Sequence, residues 1–349
     1  MDKYACFSAK MILVMKKRSG VIIITTLAML FLMTSLFFAP KILEWKVEQE
    51  QTSADQTFQY FPVTVDPADK TITENDQVNA FLADQHSLLG AVMSSSAGDH
   101  LWNMLESVAI AIDNAPWYQN IASVSGQFVN ITPGMRKEQI AAAFGTALKW
   151  DDKEKQAFIT PIGKASLPLS EGSFSPGLYQ VYSGMTPEEA QTMVNERFDS
   201  DVMSHYGTST QEIVPLYETL TIASIIQRET VSTDGMRLLS GIIWNRLFKG
   251  MDLQIDSTLQ YAKANESSRQ SWWPPVTSSD KYIKSPFNTY MHSGLPPAPI
   301  SNPSVNAILA ALNPINTPCL YYLNDKQGVF HCSATYAEHL SLVKKYYGN

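Results

Sequence analysis

The residues best suited to chemistry lie in a segment that carries one carboxylate, Glu229. Residues 220–230 read LTIASIIQRET. A helical period of about 100° per residue places Ile222, Ile225 and Ile226 on the same side of a helix as this carboxylate. Burial among isoleucines disfavours the charged form, so we expect the pKa of Glu229 to be raised. Such a group suits general acid catalysis. The alternative is a helix-end glutamate paired with a lysine or arginine.

A second group of polar side chains follows in residues 251–258. This segment reads MDLQIDST, in which apolar and polar residues alternate. The alternation predicts an extended segment with Gln254, Asp256 and Thr258 on one face. Arg246 precedes it, near the end of another predicted helix.

Two proline-containing loops supply further donors and acceptors. Residues 285–290 read SPFNTY and include Asn288 and Tyr290, and residues 294–303 read GLPPAPISNP. Such side chains on stiffened loops suit a neutral, hydroxyl-rich ligand such as a sugar. Trp272 and Trp273 offer aromatic faces for sugar rings, although each loop could equally be ordinary turn structure and each tryptophan could pack on the domain.

Other kinds of site find little support in the sequence. The six histidines are scattered and no H-E-x-x-H, C-x-x-C, G-x-G-x-x-G or Walker motif occurs, so we expect no metal and no cofactor. Ser278 and Lys281 have the S-x-x-K spacing of acyl-serine enzymes, but no K-T-G follows. A net charge of −7 without a basic stripe makes nucleic acid an unlikely partner.

The elements that position these residues follow a predicted membrane anchor. Residues 21–39 form an apolar run without a charge that is long enough to cross a bilayer as a helix. Lys16, Lys17 and Arg18 precede it, which predicts a cytoplasmic N-terminus and a chain that otherwise lies outside the cytoplasmic membrane. A cleaved signal peptide is the alternative, but the apolar run is long and residues 37–39 are a poor cleavage site.

The predicted fold class is α+β, with an N-terminal transmembrane helix, a small membrane-proximal α/β module and a larger mixed catalytic domain. The predicted parts are a cytoplasmic segment at 1–20, the transmembrane helix at 21–39, a stalk at 40–57, the module at 58–125 and the catalytic domain at 126–349.

Local signals predict several elements of this catalytic domain. We expect a strand at 127–132, a helix over Lys137–Leu148, a helix capped by Thr186, and a helix over 236–248 that ends before Gly250.

Two cysteines flank a predicted hairpin near the C-terminus. If residues 324–327 form its loop, Leu323 faces Gly328 and Cys319 faces Cys332. An extracytoplasmic location permits a disulfide. The sequence leaves open whether these cysteines form one or remain two buried thiols.

The C-terminal half contains, in order, ASIIQRET at 223–230, NRL at 245–247, MDLQIDST at 251–258, Tyr261, SPFNTY at 285–290 and GLPP at 294–297 with Pro299 and Ile300. By these residues it resembles the YceG-like family of membrane-anchored endolytic murein transglycosylases. A weaker match runs back through EGSFSPGLY at 171–179. The family usually carries a LysM-like module before its catalytic domain, and residues 58–125 do not show it in that form.

This resemblance implies that Glu229 is the catalytic acid, since it matches the second glutamate of the family's Ala-Ser-Ile-x-Glu-x-Glu motif. The first glutamate is Gln227 here, so a supporting carboxylate is absent. The implied substrate is the peptidoglycan glycan strand, cleaved between N-acetylmuramic acid and N-acetylglucosamine without water. Peptidoglycan synthases are the implied protein partners.

The implied reaction needs one acid that later serves as a base. Glu229 would protonate the leaving oxygen and then accept the proton of the muramyl C6 hydroxyl, which closes a 1,6-anhydro ring. We expect Asp256 to orient substrate or Arg246, and Gln254, Thr258, Asn288 and Tyr290 to bind sugar groups. A muramidase that adds water and a non-catalytic peptidoglycan-binding scaffold remain the alternatives.

Overall fold

The computed structural model describes residues 60–80, 127–160, 170–266 and 271–348, together with Leu43, Val47 and Leu82. These residues form a mixed α+β structure, as the sequence predicts. The strands are β1 (Val65–Asp66), β2 (Thr71–Ile72), β3 (Gln127–Ile131), β4 (Gly177–Val181), β5 (Tyr321–Asn324) and β6 (Phe330–Ser333). The helices are α1 (Lys137–Leu148), α2 (Asp152–Phe158), α3 (Pro187–Asp201), α4 (Thr208–Ile213), α5 (Leu216–Glu229), α6 (Thr233–Phe248), α7 (Asp256–Glu266), α8 (Val305–Leu312) and α9 (Tyr336–Tyr347).

The first hydrophobic core lies in what we call the sheet unit, from β3 to α3. Strand β3 pairs antiparallel with β4, and Val129 lies opposite Tyr179. Helices α1, α2 and α3 pack around this pair. The ring of Phe144 lies at the centre of the core, 4.8 Å from the ring of Phe158 between centroids and 6.2 Å from that of Trp150. Buried aromatic side chains of this size dominate the packing of so small a unit.

The second core surrounds α5 in what we call the helical unit, which comprises α4 to α9 with β5 and β6. Helix α5 packs between α6 and α8, and its residues from Thr219 to Ile226 are all buried. Two of its buried hydroxyl groups are satisfied within the helix, since Thr221 donates to the Tyr217 carbonyl and Ser224 donates to the Thr221 carbonyl, while the hydroxyl of Thr219 bonds that of Tyr206. A helix that is buried on all sides holds its last residue, Glu229, in a defined position.

The predicted elements of the sheet unit are confirmed. Strand β3 covers most of the predicted range, and α1 has the predicted bounds. Helix α3 begins after Thr186, whose hydroxyl oxygen accepts the N–H of Glu189 at 3.2 Å. Helix α6 begins earlier than predicted, because Ser232 accepts the N–H of Gly235 at 3.2 Å and so caps an additional turn.

The register of the β5–β6 hairpin differs from the predicted one. Leu323 pairs with His331 and not with Gly328. The turn begins at Asp325, whose carboxylate accepts the backbone N–H groups of Gln327 and Val329, each at 2.9 Å. This local side-chain turn moves the loop towards the C-terminus, so Asn324 stays in the strand.

The same hairpin carries a disulfide between Cys319 and Cys332, with a Cα–Cα distance of 5.8 Å. Cys332 lies opposite Tyr322 in the ladder, so the two cysteines are not the directly opposed pair that the predicted register gives. The bridge joins the segment before β5 to β6.

Described residues that precede β3 in the chain pack in both units. Phe61, Val65 and Val78 lie in the core of the helical unit. Leu43 packs instead against Phe128 of the sheet unit. The predicted transmembrane helix at 21–39 lies outside the described residues, and among the described residues no helix is long and apolar enough to cross a membrane.

Candidate functional site

Glu229 lies at the end of α5, where two other elements supply donors to its carboxyl group. Its Oε1 accepts the N–H of Ser257 at 3.3 Å, and its Oε2 accepts the hydroxyl of Tyr322 at 3.2 Å. Ser257 lies in the first turn of α7, and Tyr322 lies on β5. Within the described part of the chain no lysine or arginine forms an ion pair with Glu229, which contradicts the alternative of a salt-bridged helix end.

Burial raises the pKa of Glu229 above its ordinary value, as the isoleucine face predicts. The contacts with Ser257 and Tyr322 act in the opposite direction, because they stabilise the carboxylate, and the charge of Asp256 raises the pKa again. The N-terminus of α7 also favours a negative charge at this position. The group can therefore hold a proton, and donors are already in place for the carboxylate that remains after the proton leaves.

Asp256 is the second carboxylate of the site. It is the first residue of α7 and is exposed, and its Oδ1 accepts the hydroxyl of Tyr290 at 2.7 Å. The Nζ atom of Lys281 lies 4.8 Å from the centroid of the Tyr290 ring. This pair forms a polar rim next to Glu229.

The predicted extended segment at 251–258 is wrong. Helix α7 begins at Asp256, so residues 254, 256 and 258 do not share one face. Gln254 is exposed and has a left-handed backbone, with φ of 49°. Its N–H donates to the Thr289 carbonyl at 3.0 Å. A left-handed conformation costs a non-glycine residue on the order of 1 kcal/mol and is typical of functional sites.

Thr258 is buried, contrary to a role in direct contact with a ligand. Its hydroxyl donates to the Ile255 carbonyl at 2.7 Å and bonds the hydroxyl of Thr289 at 2.9 Å. These bonds join the first turn of α7 to the loop at 285–290.

Asn288 is also fully buried and engaged. Its Nδ2 donates to the carbonyls of Lys281 and Ile283, and its Oδ1 accepts the N–H of Tyr290 at 2.9 Å. The side chain shapes the loop that carries Tyr290 and leaves no free amide for a sugar.

Arg246 is buried and binds backbone carbonyls on both sides of the site. Its Nε donates to Leu320 at 2.6 Å, before β5, and its Nη1 donates to Leu253, before α7. The first segment leads to Tyr322 and the second to Ser257, the two residues that donate hydrogen bonds to the Glu229 carboxyl group. No bond joins Arg246 to Asp256 in the described part of the chain, so the expectation that Asp256 orients this arginine is wrong.

Gln227 holds the residue that caps α8. Its Oε1 accepts both the N–H of Ser304, at 3.0 Å, and the hydroxyl of Ser304, at 2.7 Å. Ser304 is the N-cap of α8. A glutamate at this position could accept the same bonds, so the change to glutamine preserves the contact that holds α8.

Trp273 has one ring face covered. The guanidinium carbon of Arg228 lies 3.9 Å from the centroid of its ring. This face is therefore not an open platform for a sugar.

Ser257 and Tyr322 are the site residues that sequence reasoning missed. The backbone N–H of Ser257 is a donor that no residue type reveals, and the side chain of Ser257 also lowers the pKa of Glu229. Tyr322 lies far from the matched motifs, and the only signal near it is the pair of flanking cysteines. Among the described residues no cluster of histidine, cysteine and acidic side chains could hold a metal ion.

The fold and the site together define an α+β protein in which a buried carboxyl group with a raised pKa, that of Glu229, lies between a helix end and a disulfide-linked hairpin. The profile of the YceG-like family matches residues 96–345, and the chain belongs to this family.

Curated relatives carry the name endolytic murein transglycosylase. The Bacillus subtilis protein is 29% identical over 239 residues, which are 62% of this chain and 64% of that protein. The protein of Streptococcus pneumoniae strain D39 is 30% identical over 155 residues, which are 44% of this chain and 28% of that protein. The chain thus matches less than two thirds of the length of either relative.

A solved structure has a similar fold. The crystal structure of a YceG-like protein from Listeria monocytogenes matches with a TM-score of 0.52 and 27% identity, over 65% of this chain and 80% of that one.

Proposed function

We propose that the protein is a membrane-anchored lytic transglycosylase that cleaves peptidoglycan glycan strands between N-acetylmuramic acid and N-acetylglucosamine. The observation that carries the proposal is the carboxyl group of Glu229, whose pKa is raised by burial and whose oxygens face donors from Ser257 and Tyr322. Membership of the YceG-like family and the names of the relatives support the same reaction.

In this reaction the proton of Glu229 moves to the glycosidic oxygen while the bond from C1 to that oxygen breaks. The carboxylate then takes the proton of the muramyl C6 hydroxyl, and the C6 oxygen bonds C1 to close the 1,6-anhydro ring. The proton of Glu229 is restored and no water is consumed. Because the nucleophile is tethered to the reacting sugar, no second carboxylate needs to activate water.

The remaining site residues divide into two roles in this proposal. Gln254, Asp256 and Tyr290 contact the glycan, since the first two are exposed and Tyr290 is tied to Asp256. Arg246 and Asn288 hold the backbone around them. Thr258 also belongs to this supporting group.

The proposed location is the outer side of the cytoplasmic membrane, with residues 21–39 as the anchor.

We also propose that the sheet unit is the LysM-like module that the family resemblance implies, because it has its own core and precedes the helical unit in the chain. The catalytic domain then begins after α3, and residues 60–82 belong to it.

The test is product analysis on purified glycan strands. Wild-type protein should release anhydromuropeptides, Glu229→Gln should release none, and Asp256→Asn should retain part of the activity. Mass spectrometry separates the muramidase alternative, because a hydrolytic product is heavier by one water. Glycan binding by the wild type without any cleavage would favour the scaffold alternative.

A further inference from the structure

Tyr322 is a polar residue at the site to which neither the motifs nor the relatives' names assign a role. We propose that Tyr322 is a positioning residue for Glu229, which orients its carboxyl group and stabilises the carboxylate formed when the proton leaves. The inference rests on the proposed function of Glu229 as proton donor.

The hydroxyl of Tyr322 donates to Oε2 of Glu229 at 3.2 Å. Its ring is held parallel to that of Phe330 on the neighbouring strand, with an interplanar angle of 9° and centroids 5.3 Å apart. Asn324, two residues along the same strand, donates its Nδ2 to the Glu229 carbonyl at 3.5 Å. Strand β5 therefore contacts the catalytic residue at both its side chain and its backbone.

The strand is itself fixed to the protein around the site. Arg246 binds the Leu320 carbonyl, and the Nδ2 of Asn245 donates to the Thr317 and Cys319 carbonyls at 2.6 Å and 3.2 Å. Cys319 is bonded to Cys332, which lies opposite Tyr322. A tyrosine with so constrained a backbone loses little freedom when it binds the carboxylate.

In the first proton transfer only the proton of Glu229 moves. When the O–H bond of Glu229 breaks towards the glycosidic oxygen, the electron pair stays on the carboxylate, which Tyr322 and the Ser257 N–H then bind. Tyr322 keeps its own proton throughout, because burial and the charge of Glu229 raise the pKa of its hydroxyl well above the usual value. The other charged or titratable groups that act on this pair are Asp256, Tyr290 and Arg246, with Arg228 next in sequence to Glu229.

The matched variants are Tyr322→Phe and Tyr321→Phe. The first removes only the hydroxyl and keeps the ring on Phe330. The second removes a hydroxyl from the adjacent residue of the same strand, whose ring packs 5.7 Å from that of Tyr336 and 5.6 Å from that of His339. Both are made in the full-length chain in detergent, and equal melting temperatures establish that each folds.

The first measurement needs no substrate. The carboxyl carbon of Glu229 is followed by ¹³C NMR in protein labelled at glutamate, with Glu229→Gln to assign the signal. Loss of a donor to the carboxylate should raise the pKa of Glu229 in Tyr322→Phe and leave it unchanged in Tyr321→Phe. An unchanged or lowered pKa in Tyr322→Phe overturns the proposal.

The second measurement is the rate of anhydromuropeptide release against pH. Tyr322→Phe should lower kcat about tenfold with little change in KM, as expected for a donor to charge that develops in the transition state. Its alkaline limb should move to higher pH, because the acid stays protonated longer. A uniform loss at every pH, with no movement of the limb, would indicate a merely structural role and overturn the proposal.

Together, the pKa measurement and the product analysis distinguish a failure of this proposal from a failure of the proposed function. If wild-type protein releases no anhydro products but the pKa of Glu229 rises in Tyr322→Phe, the reaction is wrong and the coupling of Tyr322 to Glu229 stands. If wild-type protein is active and the pKa does not rise, Tyr322 has no such role and the reaction stands.

Discussion

One carboxyl group can serve first as an acid and then as a base only if neither of its forms is strongly disfavoured. Burial beside the isoleucines of α5 favours the neutral form of Glu229, and the donors from Ser257 and Tyr322 favour the ionised form. In the proposed reaction these opposed effects let a single residue first donate and then accept a proton.

The role of Asp256 can be tested with a variant that keeps its hydrogen bond to Tyr290 but lacks its charge. Asp256→Asn keeps an acceptor for the hydroxyl at 2.7 Å but removes the charge that raises the pKa of Glu229. The alkaline limb of activity should therefore move to lower pH, with turnover only partly reduced, as a pH–rate profile would reveal. Loss as complete as in Glu229→Gln would instead indicate a mechanism with two catalytic carboxylates.

Gln254 offers a test that separates binding from backbone strain. Gln254→Ala should raise KM several-fold with kcat retained, because a side chain that binds only substrate is lost. Gln254→Gly should raise KM equally but increase thermal stability by up to about 1 kcal/mol, since glycine adopts a φ of 49° without strain. Steady-state kinetics and thermal denaturation check both; a KM equal to that of the wild type in both variants contradicts substrate contact.

At the scale of elements, the site is assembled where the end of α5 meets the start of α7 and the strand β5. Arg246 joins α7 to β5, because it donates to one backbone carbonyl just before α7 and to another just before β5. A buried guanidinium with its donors on carbonyls is costly to disturb, because its loss leaves those carbonyls without partners. Its substitution therefore acts on the geometry of the site.

The disulfide between Cys319 and Cys332 should contribute to both stability and activity. Cys319→Ser with Cys332→Ser removes a link between residues separated by 13 positions, a loop for which chain entropy predicts a contribution of about 3 kcal/mol. We expect a lower melting temperature and a reduced kcat, because Tyr322 on the loosened strand contacts Glu229 less often. The same melting temperature in the double variant and the wild type would contradict a stabilising bridge; Cys6→Ser is the matched control.

At the scale of the whole molecule, the sheet unit and the helical unit are joined by a buried polar contact. Asn302 is fully buried, and its Nδ2 donates to the Met135 carbonyl at 3.0 Å and to Oε1 of Glu171 at 2.8 Å. The same oxygen of Glu171 accepts the N–H of Lys137 at 3.0 Å. Since Asn302 precedes α8, which Gln227 holds, the contact runs from the sheet unit to the helix that carries Glu229.

This contact predicts a pH dependence of stability. Burial raises the pKa of Glu171 to about 8 from its usual 4.5, so the folded protein keeps a proton that the unfolded chain releases. The stabilisation is complete below pH 4.5 and is lost as the pH rises to about 8, at no more than about 1.4 kcal/mol per pH unit.

Glu171→Gln mimics the protonated carboxyl group and should remove this dependence. Its melting temperature should match that of the wild type near pH 5 and exceed it at pH 9. Thermal denaturation across this range measures the difference, with exposed Glu196→Gln as the control. Parallel curves for wild type and Glu171→Gln would contradict the raised pKa.

Local patterns in the sequence were sufficient for several helices of both units. The bounds of α1, the Thr186 cap of α3 and the isoleucine face that carries Glu229 depend on helical period and capping, which act over a few residues. The raised pKa of Glu229 follows from the same face. The family motif places its acid at this same residue, which stays a prediction, and the mixed α+β class is correct.

Only the tertiary structure decided which side chains meet Glu229. Tyr322 approaches it from 93 positions away, and Thr258 turned out to be buried where alternation predicted exposure. The hairpin register depended on the carboxylate of Asp325, and the packing of Phe61 in the core of the helical unit depended on contacts with residues far along the chain. Contacts between residues far apart in the chain are set by how whole elements pack, and no short pattern of residue types records that packing.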